Sequence, residues 1–256
     1  MSGLKLAAIY GFPPFKLGFC GPEGEESLDS LIGFIKGEKV LAEKSRKILS
    51  RFVAAYPYYR LIANSNRIKN PFDKKVVEAY WLGNQLLDNI PPSALKKMIL
   101  NDFYQPGLPD RIQLKKTVAT IPAAAKAHHS FHVLFIGSVT GKVEFTDKVR
   151  DICRIGWGRV NKIKNQSAGW RIKIKNRPLK QQNDRYYLAE ETKKEINWDR
   201  DFVPQVKIGD IVSFHWGQAC QVLNKKEVEN LEKYTQLNIK AFNTQILSSS
   251  FHPPGD

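Results

Sequence analysis

What most constrains the fold of this chain is a change of pattern near Thr146. Before it, apolar residues recur at helical spacing. After it they come in short β-rich runs divided by Gly, Asn and Asp. In the first part, Ser27 and Ser30 can cap an apolar segment, Leu28 to Ile35, that stops at Gly37, and a second helix is predicted from about Glu38 towards Ala55. Pro57 reads as a break, and Asn70-Pro71 as a cap for a helix carrying Val76, Val77, Tyr80 and Trp81. Pro91-Pro92 ends that helix, a further one is predicted over Ser93 to Phe103, and 104–125 reads as an irregular crossing. At the N-terminus, Pro13 and Pro14 interrupt the apolar stretch. In the second part, runs at Cys153–Ile163, Trp170–Ile174, Tyr186–Leu188, Glu195–Trp198 and Ile211–Trp216 suggest a small barrel. Asn224 then caps a closing helix with Val228, Leu231, Tyr234 and Leu237 on one stripe. The expected architecture is α+β: a helical domain over 1–145, a β-barrel with its closing C-terminal helix over 146–245, and a disordered tail over 246–256.

Charge is the unusual feature of the composition. Forty Lys and Arg stand against 25 Asp and Glu, net +15, a balance that points to nucleic acid or another acidic partner. The excess is spread along the chain, so it does not mark a separate basic arm. One concentration stands out, Arg159 to Arg185, in which Asp184 is the one acid. Within it Arg171-Ile172-Lys173-Ile174-Lys175 alternates strictly, placing three cations on one face of a strand and two isoleucines on the other. That face is either the solvated side of a half-buried strand or a docking surface for an acidic partner or RNA. No apolar run approaches the roughly 18 residues that span a bilayer, and no secretory leader is read. Three scattered cysteines fit a reducing compartment, so the expected location is cytoplasmic.

The nucleotide-loop, dinucleotide-loop, nucleophile-elbow and CxxC motifs are absent from the sequence. The chemistry-bearing residues that remain are His and Cys. His128, His129 and His132 lie together in AHHSFHVLFIG. On a helix His128 and His132 sit at i and i+4 and can share a metal; the alternative is buried histidines bonded to backbone. Cys20, between glycines ahead of a helical segment, reads as a metal ligand or nucleophile, or else as a small packed residue. Cys220 reads as core.

Cys153 opens CRIGWGRVNKI, and His215 lies in VKIGDIVSFHWGQACQVLNKKEVENLEKY. These blocks resemble the HypC-type chaperones of [NiFe]-hydrogenase maturation, small barrels that open with a C-x-x-x-P-G-x-V-type strand. They end in a segment like V-G-D-Y-V-L-V-H-x-G-x-A followed by a helix. Ile208-Gly209-Asp210-Ile211-Val212 matches the turn into the last strand, and His215, Gly217 and Ala219 match H-x-G-x-A. The resemblance covers about 150–242. It implies that Cys153 and His215 together hold a carried, ligand-bearing iron centre. The chaperone passes that iron from a maturation scaffold protein to the hydrogenase large subunit. The sequence departs from the pattern where Cys153 is internal and where Gly156-Trp157-Gly158 replaces the proline. GFPPFKLGFCGPE, NPFDKKVVEAYWLGNQLLDNI and HHSFHV resemble an uncharacterised prokaryotic family associated with hydrogenase genes, which draws attention to Cys20, His128, His129 and His132.

The resulting expectation is an accessory protein rather than an enzyme, with iron as its metal and a hydrogenase subunit or maturation scaffold as its partner. Arg159, Arg171, Lys173, Lys175, Arg177, Asp210 and Trp216 are the candidate docking residues. Two other readings stay open: a metal-dependent enzyme using His128, His129 and His132, and an OB-like barrel binding RNA or single-stranded DNA.

Overall fold

The computed structural model describes residues 1–103, 111–167 and 169–249. The first half is helical: α1 (Gly3–Lys16), α2 (Glu25–Lys36), α3 (Ala42–Leu49), α4 (Tyr56–Ser65), α5 (Lys74–Trp81), α6 (Pro92–Asp102) and α7 (Arg111–Thr120). A single turn, α8 (His129–Phe131), runs on as a π-helical turn, His132–Ile136, and α9 (Asp147–Cys153) leads into the sheet.

Several local expectations are corrected here. Pro13 and Pro14 lie inside α1, in which every residue from Gly3 to Phe15 except Lys5 is buried. Packing on both sides outweighs the two lost N–H donors. Glu38 to Ala55 is divided into a 3₁₀ turn at Lys39–Leu41 and the shorter α3. Pro57 starts α4 rather than breaking it, since its fixed φ suits a first turn and its N–H is not needed there. The cap of α5 is Asp73, whose side chain accepts from the Lys75 amide, while Asn70 holds an Asx turn just upstream. Part of the expected irregular crossing is α7, and 104–110 lie outside the described residues. The helical stop at Gly37 has the left-handed conformation a C-cap glycine supplies.

The barrel closes in the order β1 (Gly156–Gln166), β2 (Gly169–Asn176), β5 (Thr192–Trp198), β7 (Gln218–Leu223) and β6 (Ile211–His215), with β6 returning to β1. The β5–β7 contact is parallel and the other pairs are antiparallel, a connectivity of the OB-like kind. A separate hairpin, β3 (Leu179–Gln182) and β4 (Arg185–Leu188), is inserted between β2 and β5. It accounts for part of the basic insertion. Val160, Ile172, Ile174, Ile196 and Val212 fill the interior, as the alternation in β2 requires. The last helix, α10 (Lys225–Ser249), starts with a capping box: Glu227 N–H donates to Asn224 Oδ1, and Asn224 N–H to Glu227 Oε2. Helix thus continues into the stretch expected to be a disordered tail, and 250–256 lie outside the described residues.

The apolar core does not stop at residue 145. Ile9, Leu31 and Tyr80 of the helices belong to the same buried cluster as Ile174, Val212 and Phe214 of the barrel. The seam between the two halves is therefore interior, and the chemistry-bearing residues gather there. Among the described residues, no helix is long and apolar enough to cross a membrane.

Candidate metal centre

Three elements distant in sequence meet at that seam. α8 brings His129, the end of α9 brings Cys153, and the end of β6 brings His215. One ligand atom from each lies within 4.8 Å of the other two, and all three side chains are buried. Cys153 was expected at the start of the first barrel strand; it is the last residue of α9, and β1 begins at Gly156. The correction has a local cause. Thr146 accepts from the Val149 amide and nucleates a helical turn, so the chain enters the sheet only after Arg154 turns extended.

His215 is held in one tautomer. Its Nδ1–H donates to the Tyr10 carbonyl at 2.7 Å, which leaves Nε2 with a lone pair and no hydrogen-bond partner among the described residues. The Tyr10 carbonyl is available because of Pro14. In an α-helix the carbonyl of residue 10 bonds the N–H of residue 14, and proline has none. The prolines that seemed to interrupt α1 therefore create the acceptor that orients a candidate ligand, the outer-shell arrangement metal-bound histidines need. A Pro14→Ala variant is expected to be no less stable, since α1 regains a donor. Its metal affinity should drop about 10–100-fold. Parallel denaturation and metal titration check this, and unchanged affinity would show that the carbonyl does not matter.

His129 has partners on both ring nitrogens: Nε2 lies 2.8 Å from the Cys153 carbonyl and Nδ1 3.0 Å from the Tyr80 hydroxyl. The Tyr80 O–H has a second acceptor in the Ala54 carbonyl at 2.9 Å. The Cys153 carbonyl can only accept, so Nε2–H donates to it and the lone pair of the neutral ring is on Nδ1, facing the Tyr80 hydroxyl, whose proton has the Ala54 carbonyl as an alternative acceptor. Trp81 walls the site, with ring centroids 4.6 Å from His129 and 5.5 Å from His215.

Burial sets the protonation states. It holds the His129 imidazole well below the usual value, helped by His215 and His132 nearby, and brings His215 down to about 4. Both rings are neutral near pH 7, as ligands must be. The Cys153 thiol is pushed well above its ordinary value, by burial first and by the Cys20 thiol second, while Trp216 and Arg150 act the other way. A neutral buried thiol gives up its proton when a cation supplies the compensating charge.

Trp216 occupies an unusual turn. With Gly217 it forms the two-residue β6–β7 loop, and both have positive φ, 48° and 73°. That is the conformation of a type I′ hairpin turn, normally taken by Asn-Gly. A tryptophan there costs about 1–2 kcal/mol. What holds it is the Trp216 amide donating to the Ile152 carbonyl at 2.9 Å and the Phe19 ring 4.8 Å from its own.

A cavity of about 40 Å3 adjoins the three residues and is lined by Cys20, His132, Trp216 and mainly apolar side chains besides. That is room for a metal ion and a small non-protein ligand. Of the six residues singled out in the sequence, Cys20, His129, His132, Cys153 and His215 line this one cavity, and His128 does not. His128 instead caps α8: its Nδ1 accepts from the Ser130 amide at 3.3 Å and lies 2.8 Å from the Ser130 hydroxyl. His132 stacks on His129 with centroids 6.2 Å apart, and its Nδ1 lies 3.3 Å from the Tyr58 hydroxyl. Tyr10, Pro14 and Tyr80 were not singled out as site residues; Pro14 inside an apolar run was the available signal.

The other candidate residues lie on the barrel. Arg171, Lys173 and Lys175 share the outer face of β2, opposite Ile172 and Ile174. Arg177 is engaged, with its guanidinium on the Ala189 and Leu188 carbonyls and on Glu232. Arg159 donates to the Gly209 carbonyl, and Asp210 accepts from the Lys207 amide in the turn before β6.

Fold and site define a class: a helical half and a closed five-stranded barrel that share a core and bury a thiol with two imidazoles at their seam. The chain belongs to the family of unknown function DUF6390, which matches residues 1–249. No curated protein and no solved structure matches it.

Proposed function

We propose that this protein is a metal-carrying accessory protein of hydrogenase maturation. It holds an iron centre on Cys153, His215 and His129 and docks on a hydrogenase large subunit or a maturation scaffold protein. The observation that supports it is the convergence of Cys153 and His215, 62 positions apart, with His129 as a third donor beside a small apolar cavity. One thiolate and two neutral imidazoles make a mixed soft and borderline donor set suited to iron in a low oxidation state. The first test is elemental analysis of protein purified without oxygen from cells grown with iron. Stoichiometric iron that copurifies with a thiolate-to-metal absorption supports the reading; protein that takes up no transition metal refutes it.

The docking half of the proposal rests on the barrel surface. Across β1 and β2, Arg159 faces Lys175, Lys162 faces Lys173 and Lys164 faces Arg171, and Lys175 also faces Lys193 of β5. Like charges directly opposite one another destabilise a sheet, and the Lys164 ammonium beside Lys173 lowers the Lys173 pKa. Glu195 relieves this in part through Lys164 at 3.7 Å. An acidic protein surface would remove the repulsion. Lys173→Glu with Lys175→Glu is expected to abolish capture of a hydrogenase large subunit or scaffold while metal content stays unchanged. If the double variant captures them as well as wild type, the face is not the docking surface. Binding of single-stranded RNA that weakens steeply with salt would instead assign this face to nucleic acid.

A further inference from the structure

Cys20 lies on the segment between α1 and α2, and it borders two spaces at once. On the inside it lines the cavity of His129, Cys153 and His215. On the outside it lines an open groove with Lys16, Gly18, Glu23 and Lys142. Its backbone is built into place: the Cys20 and Phe19 amides both donate to the Pro14 carbonyl, at 3.4 and 2.9 Å, and the Thr140 hydroxyl donates to the Phe19 carbonyl at 3.0 Å. Pro14 therefore holds both sides of the site, His215 through the carbonyl it leaves free and Cys20 through its own. Cys20 stands outside the group of three ligand atoms that lie within 4.8 Å of one another, so binding together with them requires its segment to shift. Gly18 and Gly24 have positive φ and no atom near the position a Cβ would take, and Lys142–Glu23 is an exposed ion pair. The buried, unpartnered Nε2 of His215 marks the cavity side as a place for a ligand.

We infer that Cys20 is the exchange ligand of the centre, the fourth protein donor and the one through which the metal enters and leaves. This rests on the metal reading above and deepens it. In entry, the Cys20 thiol releases its proton to solvent and forms a sulfur–metal bond as a donor of the delivering molecule departs. Cys153 then gives up its proton and binds, and His129 and His215 add their lone pairs. Oxidation states do not change, and two protons leave for two thiolates bound. Exit is the reverse, with Cys20 the last protein ligand to let go. A completely buried triad needs such a port, because Cys153, His129 and His215 are each less than a tenth exposed.

Cobalt(II) is the probe, since its sulfur-to-metal absorption scales with the number of thiolates bound. Wild type is expected to show two-thiolate intensity, and Cys20→Ser to lose roughly half of it. Transfer of cobalt from Cys20→Ser to a chelator should change in rate by about tenfold, and Cys20→His should restore four-coordinate binding with one-thiolate intensity. If Cys20→Ser matches wild type in intensity and transfer rate, Cys20 is not a ligand and the buried triad stands without it. If wild type binds no cobalt, the metal reading itself fails. Cys20 is in a partly exposed segment, so Cys20→Ser should fold, and circular dichroism verifies that it does.

Discussion

Cys153→Ser and His215→Ala are each expected to lower metal affinity by more than about 100-fold, since disturbing only the outer-shell partners of such ligands already costs 10–100-fold. His129→Ala should behave in the same way. His128→Ala should keep its metal, because His128 caps α8 and does not line the cavity. This contrast within one AHHSFH stretch separates ligand loss from general loosening, since a buried histidine is removed in both cases. Metal titration followed by absorption decides it. Equal loss in His128→Ala and His129→Ala would mean that packing, not coordination, is being measured. Wild-type affinity in Cys153→Ser would remove the thiolate from the centre.

The largest stability effect is expected one residue further along. Arg154 is 2% exposed, and its guanidinium is met by Asp151 at 3.2 Å, by the Ile155 carbonyl at 3.4 Å and by the Arg177 carbonyl. Asp151 in turn accepts the Leu179 amide at 2.7 Å and has Lys194 at 3.5 Å. The network ties the end of α9 to the start of β3 and to β5, and so fixes the point where the chain delivers Cys153. Asp151→Ala should cost about 3–5 kcal/mol, because it leaves a buried guanidinium without its counter-charge. Replacing both partners, Arg154→Met with Asp151→Asn, should recover much of that loss. Denaturant unfolding of the set measures both. A loss below about 1 kcal/mol in Asp151→Ala would place this pair among weak surface bridges.

Much of the architecture was legible in the sequence because it depends on local pattern. The alternation of Arg171 to Lys175, the stop at Gly37, the cap at Asn224 and the stripe from Leu231 to Tyr234 each follow from spacing a few residues long. The elements that were misread share another cause. Pro13 and Pro14 are unfavourable inside a helix considered alone, and only burial between α2, α3, α5 and the barrel makes α1 continue through them. Strand β7 was missed because Gln218 to Leu223 reads as the end of β6 until Trp216-Gly217 is seen as a hairpin turn, and tryptophan is a poor signal for one.

For the site, the sequence by itself determined which residues could carry chemistry: histidines and cysteines, with familiar nucleotide and nucleophile motifs missing. It could not say which of them meet. His128 and His129 are neighbours in the chain and face different surroundings, while His129, Cys153 and His215 are far apart and converge. That outcome is decided by how α1, α8, α9 and β6 pack around one shared core. The physical reason is that a ligand's direction and free lone pair depend on what its other atoms bond. For His215 that partner is the Tyr10 carbonyl, 205 residues away, left free by Pro14. Local sequence supplies the donor and the unpaired acceptor; only the tertiary structure brings one to the other.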